Sequence, residues 1–118
     1  MRLVDKHGGY VDLDPLTKPS AWSETATGTG GAVEATKAAP AAGTSHYVTG
    51  FGCSFSVAAI NEVSLVEGTD TTRLAQYAHD SLVVEFPRPV KIADGAAVKV
   101  SVTAGAETAR VWLTGFTA

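Results

Sequence analysis

The chain predicts an all-β fold, a sandwich or barrel of short antiparallel strands. Three observations carry this. Apolar residues alternate with small or polar ones at period two through most of the sequence after residue 31. Turn residues break these runs at spacings of roughly 8–12 residues. No amphipathic helix of useful length interrupts them. At 118 residues the chain is one domain with a single modest core.

Residues 1–30 are expected to form an extended N-terminal arm, and 31–118 the β-domain. The arm contains Gly8, Gly9, Pro15, Pro19, Gly28 and Gly30 and sustains neither helical nor strand periodicity. GAVEATKA (31–38) reads as a short, weakly apolar strand, and APAAGTS (39–45) as a loop. HYVTGFGCSFSV (46–57) is a strand of unusual kind. Tyr47, Thr49, Phe51, Cys53, Phe55 and Val57 line one face, while the other carries Gly50, Gly52, Ser54 and Ser56. A solvent face ordinarily bears Lys, Glu and Thr, so the small face implies that something approaches it closely. The candidates are the arm, a second sheet or a sister subunit, with a bulge or bend as the alternative.

NEVSLVE (61–67) places Val63 and Leu65 on one face, GTD (68–70) turns the chain, and TTRLAQYA (71–78) forms the next strand. LVVEF (82–86) points Leu82, Val84 and Phe86 inward. Pro87 and Pro89, which cannot donate to a ladder, mark a corner or sheet edge. VKI (90–92) resumes the chain and Asp94-Gly95 is a turn signal. AAVKVSV (96–102) directs Val98, Val100 and Val102 inward, TAGAE (103–107) is expected to turn, and TARVWLTGF (108–116) is the last strand. With Val111 and Leu113 inward, Arg110, Trp112 and Thr114 face outward. Trp112 then packs beneath a loop or the arm, or sits in a subunit interface, where Trp is enriched.

Composition excludes several functions. A net charge of −3 without a Lys/Arg cluster leaves no footprint for nucleic acid. No run reaches the ~20 apolar residues of a membrane span, and MRLVDKHGGY lacks the apolar core of a signal peptide. These features predict a soluble protein made in the cytosol. The single Cys53 permits no internal disulfide and reads as a small buried hydrophobe. His7, His46 and His79 show no metal-ligand spacing and read as surface or capping residues. Asp12 and Asp14 make a DxD pair without further acidic ligands nearby in sequence. TGTGG (27–31) lacks the Lys of a phosphate loop, and no nucleophile elbow occurs. Neither an enzyme nor a cofactor is expected. Two binding classes remain: carbohydrate recognition, with Tyr10, Trp22, Tyr47, Tyr77 and Trp112 as a stacking platform, and self-assembly with docking onto a large scaffold.

The segments AVEATKAAPAAGTSHYVTGFGCSFS and VVEFPRPVKIADGAAVKVSVTAG, with a closing LTGF, resemble small β-sandwich structural proteins of tailed bacteriophages. The resemblance spans roughly residues 32–117 and leaves the arm uncovered. It implies a jelly-roll-like sandwich acting as a capsid decoration (cement) protein on the outer surface of the virion. Such a protein trimerises and clamps neighbouring major capsid proteins, stabilising the DNA-filled head without nucleic-acid or membrane contacts. On this reading Tyr10, Trp22, Gly50, Gly52, Ser54 and Trp112 are candidates for the subunit or capsid interface. A tail or head-fibre protein that binds host-surface glycan is the alternative.

Overall fold

In a computed structural model the described residues are 20–118, together with the backbone of 2–4 and 10–12. The latter form a two-stranded antiparallel ladder, β1 (Arg2–Val4) on β2 (Tyr10–Asp12). The rest of the expected arm up to residue 19 lies outside the described residues, and so does Asp14 of the DxD pair.

Every element of the main body is a strand: β3 (Ala21–Lys37), β4 (His46–Phe55), β5 (Ile60–Glu67), β6 (Thr71–His79), β7 (Ser81–Lys91) and β8 (Val98–Thr117). All pairings are antiparallel, in the order β3-β8-β4-β7-β6-β5, with a further pairing of β8 to β5. β8 is the hub. Its second half lies between β3 and β4, and its first half between β3 and β5. With β7 added to β4 and β6 added to β5, the sheet curls into a half-barrel around one core.

The curl originates where β3 and β8 bend together. Their register runs evenly from Ala21↔Phe116 to Thr29↔Thr108, then jumps to Gly31↔Ala104. One residue of β3, Gly30, therefore faces three of β8, Gly105, Ala106 and Glu107. Gly30 and Gly31 have φ of 71° and 83°, a left-handed conformation that costs a side-chain-bearing residue about 1–2 kcal/mol. The Glu107 carboxylate fastens the other side of the bend, accepting from the Gly105 backbone N–H at 3.1 Å and the Asn61 amide at 2.9 Å.

Inward positions follow the expected alternation. Val63 and Leu65, Val98, Val100 and Val102, and Val111 and Leu113 are all buried in one cluster with Val33, Phe51 and Cys53. Burial is worth about 1.5–3 kcal/mol for each large aliphatic or aromatic side chain, so this cluster holds the two halves of the sheet together. Leu82, Val84 and Phe86 pack against it from β7 as expected. The Asp94-Gly95 turn forms, with Gly95 at φ 72° and Ala96 N–H donating to Ala93 at 3.0 Å.

Four sequence expectations are corrected. The strand expected at 31–38 begins at Ala21, so residues 21–30 belong to the sheet rather than the arm; their Thr/Gly content hid a true ladder against β8. TAGAE does not reverse the chain but forms the bend inside the continuous β8. The strand starting at His46 ends at Phe55, leaving Val57 61% exposed in a loop. Finally, Thr49 is a bulge residue: Val48 pairs with Gly115 while Gly50 pairs with Thr114. One inserted residue reverses the facing of everything before it, so Val48 points inward and Tyr47 outward, stacked on Phe116 at 5.1 Å. The Pro87–Pro89 segment occupies the same irregularity, where β7 passes from Glu85↔Gly50 to Val90↔Val48.

The β6–β7 seam is closed only at its ends. At one end Asp80, with φ 70°, makes the tight turn that pairs His79 with Ser81. At the other, Arg73 is the bulge residue of β6, and its guanidinium reaches Glu67 at 2.8 Å and the Lys91 carbonyl at 3.0 Å. Glu67 also accepts from the Ala93 N–H at 2.8 Å, tying β5, β6 and the end of β7 together.

Three carboxylates are held below their ordinary range. Glu107 is lowered first by the Gly105 N–H, Glu34 first by Lys99, and Asp94 first by the Ser45 hydroxyl. Depressed folded values mean that their contribution is complete above the ordinary carboxylate range of about 4 and is lost as pH falls through the lowered values. The urea midpoint should therefore fall on acidification from about pH 5 to about pH 2. Glu107→Gln should flatten part of that slope, and an unchanged profile in that variant would show that the bend gains nothing from the charge.

Candidate binding face

The outer face of the β3–β8–β4–β7 quarter is built from residues in cross-strand rows. Thr25, Trp112, Gly52 and Val83 form one row, and Thr27, Arg110, Ser54 and Ser81 form the next. Trp112 is directly opposite Gly52, and its indole lies down over that glycine. A Cβ placed on Gly52 would stand 2.2 Å from the Trp112 ring and 2.7 Å from the Leu82 carbonyl oxygen. The small face of the 46–55 strand is thus explained within the chain. Gly52 makes room for Trp112, and Gly50 for the Val84 carbonyl oxygen, 2.8 Å from where its Cβ would be.

Beside the indole, Arg110 projects from the same face two positions along β8, about 7 Å away. Its Nε donates to Thr27 at 3.4 Å, and among the described residues no carboxylate pairs with it. A shallow depression of about 220 Å³ opens here, lined by Thr27, Ser54, Phe55, Ser56, Thr108 and Arg110. Its rim is held in place: Ser56 Oγ accepts the Thr108 N–H at 3.0 Å, and the Thr29 and Thr108 hydroxyls meet at 2.7 Å. The arrangement offers a flat aromatic surface, a guanidinium with free donors and several hydroxyls. It is suited to binding.

The six interface candidates are divided by the fold. Gly50, Gly52, Ser54 and Trp112 meet on this outer face. Trp22 does not. It lies on the opposite side of the sheet, over Gly115 and against the core, with its edge toward His46 at 5.4 Å. The side chain of Tyr10 lies outside the described residues. The proposed stacking platform divides likewise: Tyr47 shares the outer face with Trp112, while Tyr77, 74% exposed, stands on the outside of β6.

His46 is corrected from a surface or capping residue to a core one, 1% exposed. Its Nε2–H donates to the Ala38 carbonyl at 2.6 Å, and its Nδ1 accepts from the Thr117 hydroxyl at 2.8 Å. Thr117 in turn accepts the Trp22 indole N–H at 3.1 Å. This closed relay gives both ring nitrogens a partner and joins the end of β8 to β3 and β4. Buried Cys53 is the small hydrophobe expected, and burial pushes its thiol pKa up. Among the described residues no three His, Cys, Asp or Glu gather as a metal site. No helix among them is long and apolar enough to cross a membrane.

Seating an alanine methyl at Gly52 requires the indole to lift. Gly52→Ala should lower stability by about 1–3 kcal/mol and red-shift the Trp112 emission when measured in a Trp22→Phe background. Unchanged emission would show that Trp112 does not rest on Gly52.

Comparison with family models, curated proteins and solved structures returned no match to this chain.

Proposed function

We propose that this chain is a non-enzymatic structural protein of a tailed bacteriophage. On this reading it is a decoration (cement) protein, a trimer in solution as on the outer surface of the capsid, that clamps neighbouring major capsid proteins. The sequence resemblance suggests this role, and one structural observation supports it most directly. β3, the second-longest strand, pairs only with β8 and leaves its other edge uncovered along 17 residues among the described ones. An unpaired edge is a ready template for another chain. Strand addition from a sister subunit would continue the curled sheet and complete the jelly-roll-like sandwich expected of such subunits. Exposed Ile60 and Tyr77, at 68% and 74%, share the outside of the β5–β6 hairpin and offer a separate apolar contact.

A cement protein works by adding buried area where capsid subunits meet. Interfaces of ordinary size bury about 1,600 Å², and three equivalent contacts per trimer act with avidity. Binding to the assembled shell stabilises it by linkage, opposing the outward pressure of packed DNA. A second reading, a tail or head-fibre protein that binds host-surface glycan, is favoured by the indole of Trp112 lying beside hydroxyls and Arg110.

The decoration reading predicts that the purified chain co-sediments with shells of its cognate major capsid protein. It should also raise the temperature at which those shells disrupt. Chain left in the supernatant, with shell disruption unchanged, would contradict it.

A further inference from the structure

We infer that the Trp112–Arg110 face binds an acidic sugar, a pyranose bearing a carboxylate. The inference rests on the glycan-binding reading and gives it a site and a ligand class.

The geometry supplies three complementary parts on one outer face. The underside of the Trp112 indole is occupied by Gly52, which leaves its other face to receive the apolar face of a sugar ring. Arg110 stands two residues away, about 7 Å along β8, a separation one pyranose with its carboxylate can span. Its Nη groups have no protein partner among the described residues. A guanidinium prefers a planar oxyanion taken bidentately, and a carboxylate fits that fork. Thr27, Ser54, Ser56 and Thr108 surround the depression with hydroxyls suited to the equatorial hydroxyls of a sugar.

The local charge pattern agrees. In the Arg110 row the neighbours are Thr27, Ser54 and Ser81, all neutral. Glu85 is the carboxylate on this face, but it sits opposite Gly50, two rows from Arg110. The guanidinium is therefore the one charge within that row, with Asp80 just beyond its end in the turn before Ser81. Its value is greatest for a ligand that pays little to lose water from a delocalised carboxylate. A chain of net charge −3 does not attract anions generally, so recognition would depend on this local fit. Trp112 lies beside the depression of about 220 Å³ rather than in its lining, so a ring stacked on the indole reaches the depression through Arg110, with the rest of a glycan extending over the exposed Val83 side or into solvent.

The test uses the full chain with methyl β-glucuronide and methyl β-glucoside, which differ only in the carboxylate. Binding is followed by saturation-transfer NMR and tryptophan emission. The glucuronide should bind at least about tenfold more tightly, a difference of about 1.4 kcal/mol. Arg110→Gln should abolish that preference, whereas Trp112→Phe should weaken both ligands and Trp22→Phe neither. Circular dichroism and urea midpoints matching the parent would confirm that the exposed Arg110 variant is folded. Equal binding of both sugars would overturn the acidic specificity while leaving glycan binding intact. Binding of neither sugar would overturn both.

Discussion

The fold depends on one shared bend. β3 and β8 are long enough to span the whole body, and a flat ladder of that length would leave one face of the sheet to water. The register jump at Gly30–Gly31 against Gly105–Glu107 lets the two strands turn together without losing their pairing on either side. Each half then recruits its own neighbours, β4 and β7 on one side and β5 and β6 on the other. The valines of β8 face a common core from both halves. Conformational freedom at the two glycines and the carboxylate of Glu107 act on the same bend. Neither supplies much energy alone. Their effect is to bring the apolar faces together, and burial of those faces provides the stability.

Residue size is used in the same way across the strands. Each tryptophan is registered against a glycine, Trp22 against Gly115 and Trp112 against Gly52. A glycine in a strand interior loses packing, and a large ring laid across it from the next strand restores that packing. The two pairs have different consequences because they lie on opposite faces. Trp22 joins the core and caps the His46–Thr117 relay, whereas Trp112 keeps one ring face outward beside Arg110. Neighbours within the sheet, the Trp112 indole and the Val84 carbonyl, account for Gly52 and Gly50 of β4.

Much of this was legible in the sequence. Period-two alternation located the cores of β5, β7 and both halves of β8, turn signals bounded β6, and the prolines, read as a corner or sheet edge, lie at an irregularity inside the continuous β7. Alternation also placed Arg110 and Trp112 together on an outward face. What escaped were features set by register rather than pattern. A bulge was one reading of the glycines in β4, but its place at Thr49 is set by pairing with β8 and β7, and it turns Tyr47 from the core side to the outside. TAGAE has the composition of a turn, and only pairing with Gly30 and Gly31 keeps it within one strand. The Thr/Gly-rich 21–30 segment lacks apolar alternation because its partner β8 supplies the bulk. His46 gave no sign of burial, since its two hydrogen-bond partners lie far away in sequence or across a loop.

The proposed role follows from what the curled sheet leaves uncovered. Among the described residues β3 keeps a long unpaired edge and Ile60 and Tyr77 are exposed, and a self-assembling subunit would bury all three. The most direct test is the absolute mass of the purified chain by light scattering behind a sizing column, over a range of concentrations. The account predicts a species three times the 12.1 kDa monomer mass. A monomer mass at every concentration would contradict it.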